Sequence, residues 1–89
     1  MEDKKNVLTI VSEDGWQLES FDEFADDEDV VLAAVNNSGS ALQFASDRLK
    51  NDKKIVIAAV SNDPYSISFA SDELQSDDEV LDACEETDE

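Results

Sequence analysis

The chain has 89 residues, of which 24 are Asp or Glu and 6 are Lys or Arg, with no histidine and one cysteine, giving a net charge of −18. This length makes one domain with a thin core, because such a chain buries only ~60% of the surface its unfolded form exposes. The charge excludes nucleic acid and anionic membranes as direct partners, both being polyanions bound through Lys and Arg; Cys84 alone cannot form an internal disulfide or, without histidine, a zinc site.

The N-terminus opens on charge, and the apolar stretch from Val7 to Val11 is too brief for a signal or spanning segment, so a cytoplasmic protein is expected. The first element is predicted as a helix over 3–12. Taken alone, Asn6 to Ser12, with Val7, Thr9, Ile10 and Val11, would read as a strand. A repeat overrules that reading. Asp27-Glu28-Asp29-Val30-Val31-Leu32-Ala33-Ala34-Val35 returns 25 residues later from Asp52 to Val60, and 11 of the 25 positions from Asp27 to Asn51 are identical. Shifted back by 24 residues, Asp3, Val7, Leu8 and Val11 fall on Asp27, Val31, Leu32 and Val35. A one-residue deletion then aligns Phe24 with Leu49, and Asp77, Val80, Leu81 and Ala83 repeat the first half of the unit only.

Each unit reads as two short helices, predicted over 15–24, 27–36, 39–49, 52–61, 64–74 and 77–85 after the first. Asp27, Asp52 and Asp77 stand where a carboxylate accepts the orphan amides of a first helical turn, and Ser76 with Glu79 has capping-box spacing. Asp63-Pro64 is an N-cap followed by proline at the first helical position, a slot that Ser38-Gly39 fills one unit earlier. Leu42, Ala45 and Leu49, like Ile67, Ala70 and Leu74, are spaced three and four apart and share one face, with Phe44 and Phe69 expected in the core. Gly15 and Gly39 read as turn glycines. Connections of two to three residues force neighbouring helices together, so the expected fold is all-α, a compact stack of about three and a half repeats over residues 1–85, with an acidic disordered tail at 86–89.

The succession of acidic cap, Val-Val-Leu-Ala-Ala-Val, Asn-Asn-Ser-Gly and Ala-Leu-Gln-Phe-Ala-Ser-Asp-Arg-Leu-Lys-Asn-Asp resembles the short helical repeats called domain of unknown function 4116. It is closest from Asp27 to Leu81; Trp16, Ser20 and Phe21 depart from the usual pattern. The resemblance implies tandem helices and brings no catalytic residues with it.

Nothing in the sequence points to an enzyme. The neutral-pH general base is missing with histidine. Cys84 holds the repeat position of Ala34 and Ala59 and reads as a small buried residue. The carboxylate runs at 26–29 and 76–79 lack the alternating ligands and glycine of a calcium loop, so no metal or cofactor is expected. The acids are grouped: nine from Glu13 to Asp29 and ten from Asp72 to Glu89, with no basic residue in either block. Glu19, Asp22 and Glu23 lie late in a predicted helix, where carboxylates three or four apart stand ~5–6 Å from one another, comparable to phosphates along a strand.

The leading expectation is therefore a non-enzymatic acidic protein that occupies a basic, nucleic-acid-binding surface of a partner such as a nuclease, in the manner of DNA-mimic inhibitors of the phage anti-restriction or anti-CRISPR kind. Its candidate contacts are Glu19, Asp22, Glu23, Asp26 and Asp27 in one block and Asp72, Glu73, Asp77 and Glu79 in the other. Trp16 and Tyr65, which share a repeat position that Ser40 fills in the middle unit, are candidate aromatic anchors or covers for the core. The competing expectation is an ordinary repeat module that binds through apolar surface, with acidity serving solubility. A third is an acidic cation buffer or tail-type chaperone.

Overall fold

The computed structural model describes residues 3–85, apart from the side chain of Glu85, so the tail expected at 86–89 lies outside the described residues. The α-helices are α1 (Lys4–Glu13), α2 (Glu28–Asn37), α3 (Asp47–Lys50), α4 (Lys53–Asn62), α5 (Asp72–Gln75) and α6 (Asp78–Glu85). Between them run 3₁₀ helices η1 (Gly15–Ser20), η2 (Asp22–Phe24), η3 (Gly39–Phe44) and η4 (Pro64–Phe69). There is no strand among the described residues, and the segment around Val7–Val11 is helical.

The first half of every unit is the expected α-helix. Asp27 accepts from the amides of Asp29 and Val30, Asp52 from those of Lys54 and Ile55, and Asp77 from those of Glu79 and Val80. Asp77 is thus the cap of α6, and the capping box expected from Ser76 is not formed. These helices lie side by side as one layer, α1 against α2, α2 against α4 and α4 against α6. Their valines, Val7, Val11, Val30, Val31, Val35, Val56, Val60 and Val80, are fully buried.

The second halves are not continuous α-helices. Each begins as a 3₁₀ helix, which breaks at Ala45 and at Ala70, where the backbone is extended. The cause is tertiary. Ser46 donates its amide to the Ala25 carbonyl at 2.8 Å and Ser71 donates to Lys50 at 3.0 Å, in each case reaching the preceding unit. With the backbone so diverted, the serine hydroxyls cap new α-turns by accepting from Leu49 and Leu74. In the first unit the deletion removes that serine; η2 has no side-chain cap and closes as a three-residue 3₁₀ turn. The expected inner face survives the break: Leu42, Ala45, Leu49, Ala70 and Leu74 are buried and Ile67 is half-buried. Phe44 and Phe69 are corrected from core to rim, half-buried and packed against it.

The 3₁₀ helices η1, η3 and η4 form the second layer, each seated on the α-helix of its own unit and on that of the next: η1 on α1 and α2, η3 on α2 and α4, η4 on α4 and α6. The stack measures 39 × 26 × 15 Å. Two devices hold the layers close. Asn37 accepts from the Gly15 amide at 2.8 Å and donates to the Ser12 carbonyl at 3.1 Å; Asn62 repeats this with Gly39 at 2.7 Å and Asn36 at 3.2 Å. Gly15 and Gly39 themselves are glycine because a Cβ would fall on the carbonyl oxygens of Ala34 and Ala59 in the next unit. Neither has a positive φ, so their role is close approach and not the turn conformation expected of them. Pro64 holds the same position against α6, and there the Ala34 and Ala59 position is Cys84, half-buried instead of fully buried.

Candidate acidic interaction surface

Parallel stacking brings the N-terminal ends of α1, α2, α4 and α6 to one edge, and the first two residues of these helices alternate in sign: Lys4-Lys5, Glu28-Asp29, Lys53-Lys54, Asp78-Glu79. Neighbours pair accordingly. Lys4 Nζ lies 3.2 Å from Asp27 and 3.0 Å from Asp29; Lys53 Nζ lies 3.0 Å from Asp77 and 2.8 Å from Glu79; Lys54 reaches back to Glu28 at 3.4 Å. Hydrogen bonds from Lys4 to Asp29 and Asp27 raise its pKa above the usual lysine value, and those from Lys53 to Glu79 and Asp77 do the same. The ion pair with Lys53 lowers the pKa of Asp77, as do the amides of Val80 and Glu79.

Asp26 is tied into a second group. Its carboxylate accepts from the Ser46 hydroxyl at 2.6 Å and from Arg48 Nε at 2.9 Å, while Arg48 Nη2 reaches its backbone carbonyl at 2.9 Å. The serine hydrogen bond first, and the guanidinium second, hold Asp26 below the usual carboxylate range. One unit later Asn51 and Glu73 replace Asp26 and Arg48, and Ser71 donates to Asn51 at 2.6 Å without an ion pair.

The predicted contact residues therefore divide into two classes. Asp26, Asp27, Asp77 and Glu79 serve internal caps and ion pairs. Glu19, Asp22, Glu23, Asp72 and Glu73 are exposed, and no hydrogen bond or ion pair engages their side chains among the described residues. Asp22 and Glu23 in η2, and Asp72 and Glu73 in α5, stand at one edge in repeat register, with Asp47 of α3 between them. Asp47 is exposed and equally unengaged, and it was missed because the adjoining Arg48 and Lys50 made the middle unit look neutral. The repeat register, Asp47 to Asp72, is the signal that would have found it. Adjacent units are ~8–10 Å apart by helix packing distance.

One expectation about this row does not hold. Glu19 belongs to η1 and Asp22 and Glu23 to η2, with Phe21 at φ −120°, ψ 60° between them. The three acids are thus not on successive turns of one α-helix, and the α-helical geometry from which a ~5–6 Å spacing was expected does not apply to them.

The aromatic pair also divides. Trp16 is 47% exposed and meets Phe44 of the next unit edge-on, centroids 5.4 Å apart with 73° between planes. Tyr65 is 85% exposed. Cys84 packs against the rim of the core with its Sγ 3.8 Å from the Pro64 carbonyl. Among the described residues no group of three or more acidic or thiol side chains is placed to hold a metal ion, and no helix is long and apolar enough to cross a membrane.

A sequence model described as a domain of unknown function, DUF4116, matches residues 3–42 and again residues 27–75. The chain belongs to the DUF4116 family. The first match takes in the diverged first unit, so the DUF4116 pattern extends over Trp16, Ser20 and Phe21 as well as the more regular middle units. No curated protein and no solved structure matches the chain.

Proposed function

We propose that this DUF4116 chain is a non-enzymatic binding protein whose carboxylate edge occupies a basic, nucleic-acid-binding surface of a partner protein, as a DNA-mimic inhibitor does. The observation that carries this reading is the row Asp22, Glu23, Asp47, Asp72 and Glu73: exposed acids from three units, aligned on one edge and left without internal partners among the described residues. Acids whose only task was capping would resemble Asp27 and Asp77, which are bonded to amides and lysines. What supports the reading is charge density along a line and not a copy of phosphate spacing. Such a contact steers association electrostatically and weakens steeply with salt.

A second reading, a module that binds through apolar surface, is favoured by one observation, the exposure of Trp16 and Tyr65. Charge reversal separates the two. With a captured partner, Asp22→Lys, Glu23→Lys, Asp72→Lys and Glu73→Lys combined should abolish competition with duplex DNA or guide RNA, and binding by the wild type should fall at least tenfold between 50 and 300 mM salt. Binding that ignores both changes and is lost in Trp16→Ala or Tyr65→Ala would reject the acidic reading in favour of the module.

A further inference from the structure

The serine contacts recur at the first two junctions between units, and the α6 end of the stack carries their acceptor side together with a ring at the position of Trp16. At the first junction, Ala25 and Asp26 accept from the amide and hydroxyl of Ser46, and Trp16 meets Phe44. At the second, Lys50 and Asn51 accept from the amide and hydroxyl of Ser71. One unit further on, the corresponding acceptors are the Gln75 carbonyl and the Ser76 hydroxyl, and the corresponding ring is Tyr65. The fourth unit supplies α6, but a second half equivalent to η3 or η4 is not found among the described residues.

The packing rule of the second layer says what that half would cover. A 3₁₀ helix sits on the α-helix of its own unit and on the next, so α6 receives η4 on one side, and among the described residues no second half covers the side for its own unit. The exposures agree. Leu81 is 37% exposed, whereas Val7, Val31 and Val56 at the same repeat position are fully buried, and Tyr65 is far more exposed than Trp16.

The geometry points to this end of the stack as a docking slot for one more second-half segment of the same repeat. Its pattern is fixed by η3 with α3 and by η4 with α5: Gly or Pro, then Leu or Ile three residues on, Phe at five, Ser at seven and Leu at ten. In the slot, the apolar residue at three covers Leu81, the Phe meets Tyr65 as Phe44 meets Trp16, and the Ser donates to Gln75 and Ser76. This inference does not rest on the acidic reading, since none of its contacts uses a carboxylate.

Two measurements test it. The first extends the chain: a copy of residues 39–51 is placed after Asp88, the residue in repeat register with Asp63 and Asp14, and compared with the same extension carrying Ser at the positions of Leu42, Phe44 and Leu49. The filled slot raises the thermal midpoint by about 5 °C or more over both the parent and the control. It also makes Tyr65→Ala destabilising in the extended chain. The second adds a synthetic peptide of residues 38–51 in trans at millimolar concentration and follows the amide resonances of the unextended protein. Saturable shifts centred on Tyr65 and Leu81 support the slot, and the Ser-substituted peptide produces none. A midpoint no higher than the control's overturns the inference; should the extended chain fail to fold, a peptide that leaves Tyr65 and Leu81 unshifted overturns it alone.

Discussion

Trp16 and Tyr65 occupy the same place in their units, two repeats apart, and their surroundings differ because of what lies next to them. Trp16 faces Phe44 across a completed junction, while Tyr65 faces outward from the last 3₁₀ helix. Burial in this stack is thus a property of the neighbouring unit as much as of the residue. The same holds for Val56 and Leu81, equivalent apolar residues of which one is sealed and the other exposed.

The comparison is broken most severely from the completed side. In Gly39→Ala a Cβ meets the Ala59 carbonyl, Ser66 Oγ at 2.7 Å and Asp63 Cβ at 3.0 Å. Two of these neighbours are rigid, and a loss of about 3 kcal/mol is expected in denaturant titration, the upper range for overpacking. Should Gly39→Ala melt like the wild type, the close approach between layers would be wrong.

Asn62→Ala removes two hydrogen bonds to backbone groups at the same junction, leaving the amide of the buried Gly39 without its acceptor. About 2 kcal/mol should be lost, and Asn37→Ala at the first junction should cost a similar amount. Amide exchange at Gly39 and Gly15 would report each loss locally.

Trp16→Ala should cost about 1 kcal/mol through the ring pair with Phe44, whereas Tyr65→Ala should change the midpoint hardly at all. Equal effects from the two would mean that the ends of the stack are alike after all.

The gentlest probe is pH. Asp26 and Asp77 have folded pKa values below the ordinary carboxylate value of about 3.9, so their contribution is complete above that pH and lost as pH falls through the folded values. A smaller net charge acts oppositely by relieving the self-repulsion of a chain at −18. Asp26→Asn with Asp77→Asn should therefore flatten the fall in thermal midpoint below about pH 4. An unchanged slope would show that the two pairs are not formed in solution. At the second junction Asn51 is already the neutral counterpart of Asp26, so the contact to the capping serine titrates at the first junction and not at the second.

The sequence carried the fold wherever the determinants are local or periodic. The carboxylates of Asp27, Asp52 and Asp77 cap the helices expected of them, and the repeat, shifted by 24 residues in the first unit, correctly made a helix of the β-prone segment at Val7–Val11. The interruptions at Ala45 and Ala70 were not legible, because they are produced by amides of Ser46 and Ser71 bonding to a different unit, and the spacing of Leu42, Ala45 and Leu49 suits both the broken and the unbroken form. The acidic surface was half legible. Composition located the acids but could not distinguish Asp26, held by Ser46 and Arg48, from Asp22, held by nothing among the described residues. Asn37 and Asn62 left a signal that went unused, an asparagine recurring at the end of α2 and α4, two residues before Gly39 and Pro64.

The alternating charge at the helix starts gives the array a parity. Lysine pairs flank acidic pairs at every junction, so excising or inserting one unit would set Lys4 and Lys5 beside Lys53 and Lys54, or acid beside acid. Two units moved together preserve the order. An array of this kind keeps its attractive pairs when it lengthens or shortens in even steps, and a slip of one unit during folding exchanges them for repulsive ones, a small bias against a register that the valines alone would accept.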